Sequence, residues 1–249
     1  MGVFDDGLVP GLTRLADALR AEGSVALERR EAFGQAARRC AEAGFDGIEI
    51  HGAHGYLITQ FLGTISNTRT DQWGGSLENR ARFVRRIFAA TRAATPDGFL
   101  IGVRISPEVA DQGVGLDDSL QVAKWLAEDG VDFLHVSNWD SFKPPAQHPE
   151  SGKMLTTWFR EALGPDVPLI ATGGVWTPAE ADQVFDHGAD MVGLARAGIG
   201  NASWASDAAR IDWEPARPPY TPQHLRNAAI SEKMVDYMRL WPGFVTDGK

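Results

Sequence analysis

His51, His54 and Tyr56 stand within six residues of one another, directly after the apolar run Phe45-Asp-Gly-Ile-Glu-Ile50. Imidazole and phenol both donate hydrogen bonds, and neither is a strong nucleophile. The trio suits gripping a carbonyl or nitro oxygen and delivering a proton. The plainer alternative is two loop histidines beside a packing tyrosine. A metal site would need a third ligand at the same level, and Glu49, expected to face away from Ile50, does not complete a set. Arg104 forms a second candidate, a cation at the end of the apolar run Phe99-Leu-Ile-Gly-Val-Arg. It is either paired with a strand-end acid or held facing a place where negative charge develops. The third candidate is a pair of turns, Thr172-Gly173-Gly174 and Ala195-Arg196. Glycine lets backbone N–H groups approach an anion, and the arginine adds charge.

The elements that must carry these groups alternate. Periodicity predicts helices over 8–21, 28–43, 76–94, 117–128, 156–163 and 178–186. Strands are expected over 45–50, 99–105, 131–137, 167–172 and 190–194, with a weak one over 24–27. Strand–helix alternation with near-continuously apolar strands means a parallel sheet covered by helices. In such sheets, ligands bind where the strands end, and that is where all three candidates fall. No Gly-x-Gly-x-x-Gly opens a helix after a strand, so a Rossmann dinucleotide site is not indicated.

The chain of 249 residues has the length of one (β/α)8 barrel. The expectation is a single domain over 1–249 with a Pro- and aromatic-rich tail from 213 to 249. The net charge of −9 is spread along the chain, and no basic run suggests nucleic acid. No apolar run reaches ~18 residues, so no membrane span is expected. The first residues lack the basic and apolar regions of a signal peptide, and Asp6 occupies the Ser/Thr position of a myristoylation site. Cys40 is the one cysteine. It reads as a small buried residue, and a cytoplasmic location is expected.

These groups, in this order, resemble the old yellow enzyme family of FMN-dependent ene-reductases. The resemblance runs from about Phe33 to Phe244. It is carried by Gly44-Phe-Asp-Gly-Ile-Glu-Ile-His-Gly-Ala-His-Gly-Tyr-Leu-Ile-Thr-Gln-Phe-Leu and by Ser66-Asn-Thr-Arg-Thr-Asp-Gln-Trp-Gly-Gly-Ser-Leu-Glu-Asn-Arg-Ala-Arg-Phe83. It implies an α/β fold of TIM-barrel type, with FMN at the carboxyl rim and NADPH or NADH as reductant. The reaction it implies is reduction of the C=C bond of an α,β-unsaturated carbonyl or related electron-poor substrate, such as a nitro compound.

By that resemblance His51 and His54 hold the substrate oxygen, Tyr56 donates the proton, and Arg104 lies beside the flavin pyrimidine edge. Gly173 and Gly174 form the first phosphate turn, and Ala195 and Arg196 the second. Ala195 departs from the usual Gly-Arg, where only the backbone is needed. The front departs more: the family's first strands, with an Ala-Pro-Met/Leu-Thr-type turn and a Gln-Leu-x-His-type segment, are not found. The resemblance therefore implies an incomplete barrel, with a homo-oligomer or partner chain over the gap. A competing reading is a truncated relative that acts as a subunit or has no retained activity. An exposed apolar interior including Ile48, Ile101 and Leu134, or their neighbours, is also expected.

Overall fold

The structure, a computed structural model, describes residues 25–246, with side chains from residue 31 onward. Strands and helices alternate. Helix α1 (Val25–Glu42) leads to β1 (Gly47–Gly52), the short α2 (Leu57–Leu62) and α3 (Leu77–Ala94). Then come β2 (Leu100–Ile105), α4 (Leu116–Glu128), β3 (Phe133–Ser137), α5 (Leu155–Leu163), β4 (Leu169–Thr172), α6 (Pro178–Asp186) and β5 (Met191–Gly193). Four short helices follow: α7 (Arg196–Gly200), α8 (Trp204–Asp207), α9 (Pro222–Asn227) and α10 (Glu232–Met238).

All five strands are parallel, and their order in the sheet is their order in the chain. A doubly wound sheet reverses its order at a switch point. The absence of a reversal among the described strands makes this a singly wound arc of barrel type, five of the eight strands that closure needs.

Local chemistry explains the helices. Ser76 caps α3 by accepting from the Asn79 N–H, with Glu78 in the first turn and Arg92 in the last, each matched to the helix dipole. Thr177 and Glu180 form a capping box on α6 with Pro178 at its start. Each strand alternates. Ile50, Ile101, Val103, Leu134, Val136, Leu169 and Ala171 turn to the helices and are buried. Ala171 packs with Val175, Ala181 and Val184, and the others pack with Val84, Ile87, Phe88, Val122, Leu126 and Phe159, where Phe33 and Cys40 of α1 close the edge.

This arrangement corrects the expectation for Ile48, Ile101 and Leu134. Ile101 and Leu134 are fully buried beneath helices, and Ile48 packs on the same core. The other sheet face carries Glu49, His51, Arg104, His135, Ser137 and Thr172, one strand position away. An inward apolar list taken without the alternation lands on the wrong face.

The weak strand expected over 24–27 is also corrected: Val25, Ala26 and Leu27 are helical. No breaker separates them from the amphipathic run that follows, so the helix extends back through them. Ser24 and the helix expected over 8–21 lie outside the described residues. Helix α2 and the tail helices were not expected.

The tail packs as a separate cluster of Trp176, Ala197, Tyr220, Leu225, Val235, Met238 and Phe244. Tyr220 donates its hydroxyl to the Ala216 carbonyl, and His224 Nε2 lies 2.7 Å from the Gly200 carbonyl. The tail therefore clamps α7, whose first residue is Arg196.

Candidate active site

At the end of β1 the chain turns sharply. His54 and Gly55 both have left-handed backbone, with φ of 61° and 77°, and Tyr56 then caps α2. A non-glycine residue in that conformation is uncommon, and here the turn folds three side chains together. The ring centroids of His51 and His54 are 5.1 Å apart, and those of His51 and Tyr56 are 5.4 Å apart. His54 is fixed twice: its N–H donates to Ser106 Oγ, and its Nε2 lies 2.7 Å from Ser137 Oγ. Tyr56 is 63% exposed, so its hydroxyl is open to a ligand.

Both histidines are held below the ordinary imidazole value. For His51 the causes are burial and then the Arg104 charge. For His54 they are burial, then the charges of His51 and Arg104. Neutral rings each offer one N–H without a charge of their own.

Arg104 sits beside His51 in register. It is paired with Glu49, Nη2 to Oε2 at 2.5 Å, so it does have an acidic partner on the neighbouring strand, though in mid-strand rather than at its end. Its Nε remains buried without a protein partner. Glu49 also meets His135, Oε1 to Nδ1 at 2.7 Å, and His135 Nε2 lies 2.6 Å from Thr172 Oγ1. Burial works to raise the Glu49 carboxyl. The hydrogen bond to His135 and the charges of His135 and Arg104 outweigh it and hold Glu49 below its usual value.

The two glycine-bearing turns are brought together. Thr172, Gly173, Gly174, Gly193, Ala195 and Arg196 line one small hollow of about 30 Å3. Gly173 and Gly174 have φ of 152° and 72°, a backbone that side-chain-bearing residues rarely adopt. Arg196 is exposed, lies 5.9 Å over the Trp139 ring, and has no acidic partner among the described residues. The hollow has room for a small group and not for a ring system. A larger groove of about 590 Å3, lined by Arg82, Arg85, Arg86 and Arg92, lies along α3 away from this rim. Arg85 and Arg92 are there already engaged by Asp129 and Asp132.

All the residues singled out from the sequence therefore lie at the carboxyl ends of strands or in the turns after them, in two groups. Sequence reasoning missed Glu49 as a partner, missed His135 and Ser137 altogether, and named Thr172 for its turn but not for its contact with His135. The usable signal was polar residues at alternate positions inside apolar strands.

A family model described as NADH:flavin oxidoreductase / NADH oxidase matches residues 26–211. An NADH:fumarate oxidoreductase of Klebsiella pneumoniae is 36% identical, over 84% of this chain and 24% of its own length. A probable NADH-dependent flavin oxidoreductase of Bacillus subtilis is 30% identical, over 81% and 67% respectively. An NADPH dehydrogenase of a Geobacillus species is 40% identical, over 74% and 54%. Among solved structures, morphinone reductase superposes with a TM-score of 0.65 at 29% identity, covering 80% of this chain and 52% of that one. The old yellow enzyme homologue from Zymomonas mobilis gives 0.61 at 28%, covering 73% and 51%. The chain thus spans about a quarter of the Klebsiella relative and about half of the two structures.

Proposed function

The chain belongs to the NADH:flavin oxidoreductase / NADH oxidase family, and from that premise we propose that it takes part in NAD(P)H-dependent reduction of electron-poor C=C bonds. Its substrates would be α,β-unsaturated carbonyl or nitro compounds. The observation that carries this reading is the approach of His51, His54 and Tyr56 at the rim that also holds Arg104. Two neutral imidazoles can grip a substrate oxygen, and the open Tyr56 hydroxyl can deliver a proton.

The residues present fit FMN. The buried, unpartnered Nε of Arg104 leaves a donor for the pyrimidine edge. Gly173, Gly174, Ala195 and Arg196 offer backbone donors and a charge for one phosphate. When bound, FMN would supply the hydride carrier between nicotinamide and substrate. Arg104 would offset negative charge there, and the histidines would orient the acceptor over the open face. Use of nicotinamide is in keeping with a cytoplasmic location.

The foot of the open face bears Leu100 and Met191, 48% and 44% exposed. Apolar side chains in such a place favour cover by further polypeptide, a second copy of this chain or a partner chain. Sedimentation at low micromolar concentration tests that, and a well-behaved monomer that holds FMN stoichiometrically would refute it. A second reading, a non-catalytic family relative, rests on the five strands among the described residues not closing a barrel. One visible spectrum after incubation with FMN and desalting separates the two. Retained blue absorbance supports the oxidoreductase, and a colourless protein supports the relative without activity.

A further inference from the structure

Glu49 has no part in the reading above, yet it is the hub of the open face. One carboxylate oxygen meets Arg104 on β2 and the other meets His135 on β3. The His135 side chain is 8% exposed and that of Glu49 21%, so water competes little for this contact, whereas the Arg104 side chain is 32% exposed. A carboxylate only accepts, so His135 must donate from Nδ1. Its Nε2 then reaches Thr172 on β4, in the wall of the small hollow. Gly193 leaves room for that contact, since a Cβ there would stand 1.8 Å from Thr172 Oγ1. The line Arg104–Glu49–His135–Thr172 thus joins the cation at one end of the open face to a hydroxyl at the other.

We infer that Glu49 is a positioning residue. Its carboxylate partly cancels the field of Arg104 and holds His135 in the form protonated on Nδ1. A positive charge beside a redox group favours the more negative, reduced state. The carboxylate against Arg104 opposes that preference, so Glu49 keeps the bound group easier to oxidise. The redox part of this inference rests on the FMN reading, whereas the histidine part does not.

Spectroelectrochemical titration of the FMN-loaded protein tests the first part. Glu49→Gln should shift the equilibrium toward reduced flavin about tenfold, which is about 30 mV for a two-electron couple. NMR of the ring nitrogens in the FMN-free wild type tests the second, and should find Nδ1 of His135 protonated. Equal potentials in wild type and variant, or a His135 lone pair on Nδ1, would overturn the inference. If the wild type does not bind FMN, the FMN reading and the redox part fall together, and the NMR result still decides what Glu49 does to His135. If Glu49→Gln does not fold, Glu49→Asp replaces it. Its shorter reach must loosen Arg104 or His135, and an unchanged potential together with an unchanged His135 ring would again sink the proposal.

Discussion

Ile101 and Arg104 belong to one strand, three residues apart, and live under different rules. Ile101 turns to the helices, is fully buried and packs on an apolar core. Arg104 turns the other way, remains partly exposed, and is held by one carboxylate. The same contrast separates Ile50 from Glu49 on β1 and Leu134 from His135 on β3. The helix-covered face gains its stability from area removed from water, and many apolar side chains of the right volume would serve. The open face depends on pairing, because each polar group there needs a stated partner. What it leaves unpaired, such as the Nε of Arg104 and the hydroxyl of Tyr56, is what a ligand can use. A site and a core can therefore share a strand without compromise, one on each side of the pleat.

The sharpest way to break this division is Tyr56→Phe. An exposed rim hydroxyl should matter to turnover and hardly to folding. Stopped-flow traces should show substrate reduction slowed about 10²–10⁴-fold, flavin reduction by nicotinamide nearly unchanged, and stability within about 0.5 kcal/mol of wild type. If both half-reactions slow alike, Tyr56 packs the site and does not supply the proton. The complement is Leu134→Ala, on the other face of β3. It should lower unfolding free energy by about 2–5 kcal/mol in denaturant titrations, while Leu134→Met costs under about 1.5 kcal/mol. A Leu134→Ala variant as stable as wild type would mean that the helix-covered face is not a packed core.

Arg196→Ala probes the open side again, at the small hollow beside Gly173 and Gly174. Loss of a charge-assisted partner should weaken FMN binding by about 1.5–3 kcal/mol, read by flavin fluorescence titration. Unchanged affinity would remove Arg196 from the phosphate assignment. The smallest effect concerns pH. His51 and His54 are held below the ordinary value of 6.5 in the folded chain. The unfolded chain therefore takes up protons first as pH falls. Their contribution to stability is complete above about 6.5 and declines as pH drops toward the folded values. Replacing both with Gln should flatten stability as pH falls below about 6.5. An identical pH dependence in the double variant would show that their rings titrate as free imidazoles.

Much of this molecule was legible in its residues, because the signals are local. Leu116–Glu128 and Pro178–Asp186 follow from spacing within one helix turn. The strand ends that bear His51 and Arg104 follow from apolar runs that stop at a polar residue. The turn at Gly173-Gly174 follows from glycine's freedom at positive φ. The approach of His51, His54 and Tyr56 is also local, since one turn of chain brings them together. What the tertiary structure alone decided is pairing over distance. Glu49 meets His135 86 residues away, and His54 meets Ser137 83 residues away. Those contacts depend on strand register and on which face each strand turns to the helices. A shift of one residue would send Glu49 into the core and Ile50 to the open face. Register is set by the packing of the whole apolar side at once, so no window of sequence contains it.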